Sequence, residues 1–430
     1  MNKIAKNATW IIVCRIVQAV FGLIINMLTA RYLGPSNFGL ITYAASLVAF
    51  VLPILQLGFN NILVQELVQH PEREGQTLGT SLLLSLITSI GCMLGVVAFA
   101  YLANPDEPVT IIVCLLYSFI LVFQSLDLIQ YWYQAKLLSK YTSIIGLITY
   151  LVVSAYKIFL LVTAKNVYWF ALSNVLDTAL ISIASLILYR VHGGQKLSFS
   201  LSLGKELFGR SKHYILSSLM VTVFAQTDKI MIKLMIDESA TGYYGAAFAC
   251  AGLTSFVFVA IIDSFRPSIF EGQALGENVF EHRLTILYSV VIYLSLAQSV
   301  VMTALAGVII RILYGAAYDP SAGALRIVVW YTTFSYLGSV RNIWILANNK
   351  QRYLWIINLI GALANVLLNA ILIPLIGIYG AATASLVTQF FTNVIVEYLI
   401  RPITPNNRIM LNSLHPKYLL EAFKKIQVRN

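Results

Sequence analysis

The chain has 430 residues, of which 59% are hydrophobic and 11% charged, and its formal net charge is +11. An average soluble domain carries about 25% charged residues, so a soluble globular enzyme is excluded and an all-α integral membrane protein is expected. The basic balance alone would fit nucleic acid, but the placement of the charges assigns them to membrane topology instead.

A hydrocarbon core about 30 Å thick needs roughly 20 apolar residues per helix. The sequence offers about twelve such stretches: 8–30, 38–60, 78–102, 109–130, 142–164, 167–189, 214–236, 243–263, 284–310, 322–346, 354–374 and 380–400. The first is too long for a removable signal peptide and lacks its small-residue cleavage site, so it reads as a permanent helix. Cys14, Cys92, Cys114 and Cys250 all fall inside spans without CxxC or metal-ligand spacing, and read as small packing residues. The five histidines lie in loops or the tail, far apart in sequence, and no metal site is expected.

With the N-terminus inside, the cytoplasmic segments hold twenty of the 29 Lys and Arg residues, among them Lys136, Lys140, Arg190, Lys196, Lys205, Arg210 and the basic tail. The opposite side holds only Arg31, Lys165 and Arg311. This bias places both termini in the cytoplasm. Trp10, Trp132, Trp169 and Trp355 fall near span ends, where indole rings favour the headgroup layer.

The basic segment 191–213 divides the chain into an N-terminal six-helix bundle (1–190) and a C-terminal one (214–402), followed by a basic tail (403–430). Six spans per half make any repeat a parallel one about an axis normal to the membrane. In span seven Ser218, Thr222, Gln226, Lys229 and Lys233 recur on one helical face, and in span one Arg15, Gln18, Gly22, Asn26 and Thr29 do the same. Aligning Gly39 of "NFGLITYAA" with Gly242 of "ATGYYGAA" places Asn26 on Lys229, so the two stripes share a register. Small and hydroxylated members of such stripes are equally well explained as interhelical packing. Full charges are not, because an ionisable group in a span costs about 2.5 to 3.5 kcal/mol on insertion scales and faces protein or water. Arg15, Lys157, Lys229, Lys233, Arg326 and Arg341 are such groups, with Lys233 close enough to the outer surface to snorkel. Asp127, Asp177, Asp228, Asp263 and Glu397 are the acids in comparable places. Asparagines 358, 365 and 369 line one face of span eleven, and Gln389, Asn393 and Glu397 one face of span twelve. Several polar helix faces are best satisfied around a hydrated cavity, which points to a transporter.

"TARYLGPSNFG", "QTDKIMIKLM" leading to "TGYYGAA", "LYGAAYDPSAGALRI" and "NLIGALANVLLNAILIPLIGIYGAATAS", in this order and spacing, resemble the polysaccharide repeat-unit flippases. These Wzx-type or O-antigen transporters belong to the multidrug/oligosaccharidyl-lipid/polysaccharide exporter superfamily. The resemblance covers essentially the whole chain. It implies a V-shaped, MATE-like fold of two pseudo-symmetric six-helix bundles in the bacterial cytoplasmic membrane. It also implies a cargo, an undecaprenyl-diphosphate oligosaccharide flipped from inner to outer leaflet by alternating access for O-antigen, capsule or exopolysaccharide synthesis. Membrane lipids and the polysaccharide polymerase are the other candidate partners; nucleic acid is not one. Under this resemblance the diphosphate falls to Arg15, Lys229 and Arg326, with Lys157 and Arg341 as further candidates; Asn26, at the place matching Lys229, is a further substrate-binding candidate.

The residues themselves agree with that chemistry. A diphosphate needs cations in a low-dielectric setting, and nothing here requires a catalytic constellation, so no enzyme activity and no cofactor is expected. The chain has no GxxxxGK[ST] loop, which argues against direct use of ATP. Membrane potential, H+ or Na+ are the candidate drivers, with Asp177 or Asp228 either carrying an ion or balancing a neighbouring cation. A multidrug exporter of the same superfamily would favour acids over bases in its cavity. A peptidoglycan-precursor flippase typically has two more helices, and a polymerase a large outer loop.

Overall fold

The computed structural model describes the backbone of residues 3–427 and the side chains of Cys14, Val17, Gln18 and residues 21–422. The described residues form helices joined by short turns, with no strand. This follows from the composition: in lipid every backbone N–H and C=O must be satisfied within the protein, and a helix does so inside one segment. Nine helices among the described residues are long and apolar enough to cross a membrane.

Contacts divide the chain into two compact units, Met1–Gly242 and Tyr243–Asn430. In the first, α1 (Lys3–Leu55) contains the first predicted span and most of the second, separated by a kink at Gly34, whose φ of 71° is followed by Pro35. Gly34 tolerates the left-handed backbone and Pro35 has no N–H to lose, so the chain bends without stranding a donor. Next come α2 (Leu63–Gln69) and α3 (Glu74–Ala103). The fourth span is assembled from α4 (Pro108–Ser118), α5 (Ile120–Leu126), a 3₁₀ turn and α6 (Gln130–Ala135), and is followed by α7 (Ser139–Val162) and α8 (Val167–Val191). The segment from Gln195 to Ser200 then lies along α3. Ser198 N–H donates to the Gly75 carbonyl (3.2 Å) and Ser200 N–H to Thr80 Oγ1 (3.0 Å). A Cβ at Gly75 or Gly79 would strike this backbone. The chain continues into α9 (Leu201–Met235), which packs along α1 in the first unit.

Within this unit α3 buries a face of small residues, Ser81, Ser85, Ser89, Cys92, Val96 and Ala100. Their spacing of three and four lets neighbouring helices approach closely. Trp132 is buried, edge-on against Tyr133 and Tyr189 at ring separations of 5.0 and 4.9 Å, so it packs the core instead of sitting at an interface. Trp169 and Trp355 are exposed, as interfacial rings are.

The unit boundary falls within α10 (Glu238–Ala251). The second unit comprises α11 (Ser255–Leu275), α12 (Glu277–Leu313), α13 (Ser321–Ala347), α14 (Leu354–Ile376), α15 (Ile378–Phe390) and α16 (Val396–Leu399). A five-residue π-helical stretch, Phe391–Ile395, joins the last two. The predicted spans 322–346 and 380–400 are thus helical although neither is among the nine. Phe258 stacks on Tyr336 at 4.1 Å within the core of this unit. Two tail helices, α17 (Thr404–Asn412) and α18 (Lys417–Gln427), pack on α12. They are fixed there by Tyr293 OH donating to the Leu414 carbonyl (2.6 Å) and by a 2.9 Å His282–Glu421 contact.

Candidate functional site

The polar stripe of α1 meets a matching face of α7 through two glycines. Gly22 faces the Tyr150 hydroxyl, 3.1 Å from where its Cβ would stand, and Gly146 faces the Gln18 amide at 3.2 Å. About two turns beyond Tyr150 on α7, Lys157 donates to Asn174 Oδ1 of α8 (2.9 Å). Asp177, one turn further along α8, acts electrostatically on Lys157, Tyr117 and Tyr150. Its Oδ1 is buried and accepts no hydrogen bond among the described residues. The structure therefore brings Lys157 and Asp177 into one polar cluster of α4, α7 and α8. A lysine there faces a neutral amide and a nearby carboxylate, an arrangement that can release a cation to an incoming anion while the acid limits the cost of burying it.

On α9, Lys229 donates to Gln226 Oε1 at 3.1 Å, joining two members of the stripe read from spacing. Asp228 is buried, 3% exposed, and its charge acts on Lys229. Asn26 is exposed on α1 and Arg326 exposed on α13. Arg15 lies outside the residues whose side chains are described. Arg341, expected as a candidate for the diphosphate, is placed differently. It is buried in the second unit, 3.6 Å from Glu397 Oε1 and donating to the Thr392 carbonyl (3.2 Å) in the π-helical stretch. A π turn widens the helix and frees carbonyls for such a donor. Glu397, fully buried, also accepts from Asn406 (2.8 Å), which in turn accepts from Tyr288 OH (3.0 Å). Arg341 is thus one member of an internal network. Asn365 and Asn369 of span eleven are likewise buried and bonded to each other (3.0 Å).

Spacing did not reveal two ion clusters of the first unit. At one end of α9, Lys233 donates to both oxygens of Glu107 (2.8 and 2.7 Å) and lies 3.5 Å from Glu238, its side chain only 1% exposed. It is an enclosed ion pair and does not snorkel into open water. Burial raises the Glu107 carboxyl, but the hydrogen bonds from Lys233 and Thr110 outweigh it and hold the group below its usual value. Near the other end, fully buried Glu66 accepts from Arg210 (2.6 Å) and from Arg73. The paired residues are 126 and 144 positions apart, so no local pattern announces either contact.

The chain matches the family described as polysaccharide biosynthesis protein over residues 4–273. No curated protein sequence matches it. Among solved structures it is similar to the lipid II flippase MurJ in an inward closed conformation, with a TM-score of 0.70 and 15% identity over 94% of this chain and 90% of that one. A multidrug resistance MATE family transporter of the MOP superfamily, inward-facing, gives 0.68 and 13% over 91% and 96%. A MATE structure in a bent conformation gives 0.60 and 14% over 96% and 97%. At such identities the likeness fixes the fold and leaves the cargo open. A multi-pass helical chain with this fold and a match across its first 273 residues belongs to the polysaccharide biosynthesis protein family.

Proposed function

We propose that the protein flips undecaprenyl-diphosphate-linked oligosaccharide repeat units from the inner to the outer leaflet of the bacterial cytoplasmic membrane by alternating access, with both termini cytoplasmic. The observation that carries this reading is the family match over residues 4–273 on a fold similar to that of a lipid II flippase. Lys157 and Lys229, each bonded to a neutral amide, supply ammonium groups suited to a diphosphate. Asn26, Arg326 and Arg15 are the further proposed contacts. Arg341 is retained only as a remote candidate, since its guanidinium already serves Glu397.

A dianion moving outward gains about 2.3 kcal/mol per charge per 100 mV of inside-negative potential. Membrane potential is accordingly the proposed driver, and Asp177 and Asp228 are proposed to balance cations. H+ or Na+ exchange through either acid is the second reading, favoured by the buried, unbonded Oδ1 of Asp177. The MATE-like fold keeps a multidrug exporter as the alternative cargo class, and the MurJ likeness a peptidoglycan precursor. The test is a gene deletion complemented with Lys229→Ala, Arg326→Ala or both, scored for surface polysaccharide. Loss of export with normal protein in the membrane supports the reading. Wild-type export by the double variant overturns the assignment of these two cations to the diphosphate, and undiminished export after deletion of the gene overturns the flippase reading.

A further inference from the structure

The buried residues of α9 are Leu203, Gly204, Leu207 and Ser211 near its start, then Thr227, Asp228, Ile232 and Lys233 near its end. From residue 212 to residue 226 no side chain is buried. The middle of α9 is half-buried and packs along α1, so the fully enclosed contacts that fix the helix are those at its two ends.

Both ends are held by charge and by close backbone contact. At the first, Arg210 pairs with fully buried Glu66, and Ser211 Oγ donates to the Leu57 carbonyl (2.7 Å). Gly58, at a φ of 71°, packs against the Ser211 backbone where a Cβ would not fit. At the second, Lys233 is enclosed by Glu107 and Glu238, and Ser36 Oγ donates to Glu238 Oε1 (3.1 Å). Thr110 Oγ1 donates to Glu107 Oε2 (2.5 Å). Here too backbones touch: a Cβ on Gly39 would strike the Glu238 carbonyl, and one on Gly242 the Pro35 carbonyl. Arg210 and Lys233 are 23 residues apart, about 35 Å along a helix, close to the thickness of the hydrocarbon core plus its edges. The two clusters therefore lie at opposite membrane surfaces, with the stripe of Ser218, Thr222, Gln226 and Lys229 between them.

We propose that α9 is a strut with a releasable ionic latch at each end, Arg210–Glu66 and Lys233–Glu107/Glu238, and that opening one latch exposes its polar face to one side of the membrane. Both latches are formed in this structure. Each joins an arginine or lysine of α9 to an acid in a loop or short helix outside the spans, where water can take over both charges once they part. Which latch faces the cytoplasm rests on the orientation given under the proposed function; the existence of two latches does not.

The test places a reporter thiol by Thr222→Cys, twelve residues from Arg210 and eleven from Lys233, in a chain whose four native cysteines are replaced by serine. An impermeant maleimide is applied to intact cells or to inside-out vesicles. Slow labelling from both sides is expected with both latches intact. Lys233→Gln or Glu107→Gln should speed labelling from the outside alone, and Arg210→Gln from the inside alone. A rise of about fivefold is what a loss of roughly 1 kcal/mol from a two-state balance produces. The exchanged pair Glu107→Lys with Lys233→Glu, combined with Glu238→Gln so that the new glutamate meets no like charge, should return labelling toward the slow rate, which separates latch opening from general misfolding. Unchanged labelling in all three neutral variants at normal membrane abundance, an equal rise from both sides, or no recovery in the exchanged pair overturns the proposal. One-sided rises on exchanged sides uphold the latches and overturn the orientation. The readout needs no cargo, so it stands or falls separately from the flippase reading.

Discussion

Gly39 and Gly242 interlock: a Cβ on Gly39 would collide with the Glu238 carbonyl and come within 2.9 Å of the Gly242 nitrogen, while one on Gly242 would collide with the Pro35 carbonyl. These are the two glycines that the sequence places at corresponding positions of the two halves. They are therefore equivalent in register and also in direct contact, one backbone nested against the other.

Alanine at either position should destabilise the protein. The gain in helix propensity is at most about 1 kcal/mol, whereas overpacking against backbone costs about 1 to 3 kcal/mol. Thermal unfolding in detergent checks the sign, and an unchanged or raised midpoint for both Gly39→Ala and Gly242→Ala would contradict the packing described.

Glu66 should make stability depend on acid pH. Burial raises its carboxyl, yet the hydrogen bonds and charges of Arg210 and Arg73 outweigh burial and hold it below its usual value. A carboxyl depressed in the folded state contributes its full stabilisation above the unfolded value of 4.5 and loses it as pH falls through the lower folded value. Glu66→Gln should lower stability at pH 7 by about 1 to 3 kcal/mol, less than for a wholly buried pair because both arginines reach solvent. The variant's deficit should shrink as pH is lowered below 4.5, and a deficit independent of pH would refute this account.

Arg341 and Glu397 should behave as a structural pair. Removing one partner of a buried pair costs about 3 to 5 kcal/mol, whereas replacing both by neutral groups is often close to neutral. Arg341→Met and Glu397→Gln should each lower the unfolding midpoint, and the double variant should recover most of the loss. A stable Arg341→Met protein that fails to export polysaccharide would instead return this arginine to the cargo.

Lys157 and Asp177 should differ in what their loss does. Lys157→Gln removes a charge-assisted contact worth about 1.5 to 3 kcal/mol and should cut export roughly tenfold or more. Asp177→Asn should leave the dependence of export on proton and sodium gradients unchanged if the acid only balances charge. Abolition of that dependence would identify Asp177 as the ion carrier.

The helical membrane class and the polar face of span seven were legible because both are local. Twenty apolar residues must be a helix in lipid, and a repeat of three and four residues must share a face. The bond from Lys229 to Gln226 lies on that face. The α3 face of Ser81, Ser85 and Ser89 has a similar period but carries no charge, so its pattern alone does not set it apart from ordinary helix packing.

Partnership was not legible. Lys233, Lys229 and Arg341 are all basic residues within predicted spans, and nothing local separates the one enclosed by Glu107, the one bonded to Gln226 and the one buried beside Glu397. Composition and periodicity marked where apolar helices form and which residues share a helix face, because backbone satisfaction and side-chain period act within a dozen residues. Tertiary structure alone decided that Lys233 meets Glu107 and Arg341 meets Glu397. The energy of a charge in a membrane protein is set by the opposite charge within a few ångströms, and the packing of distant helices determines which charge that is.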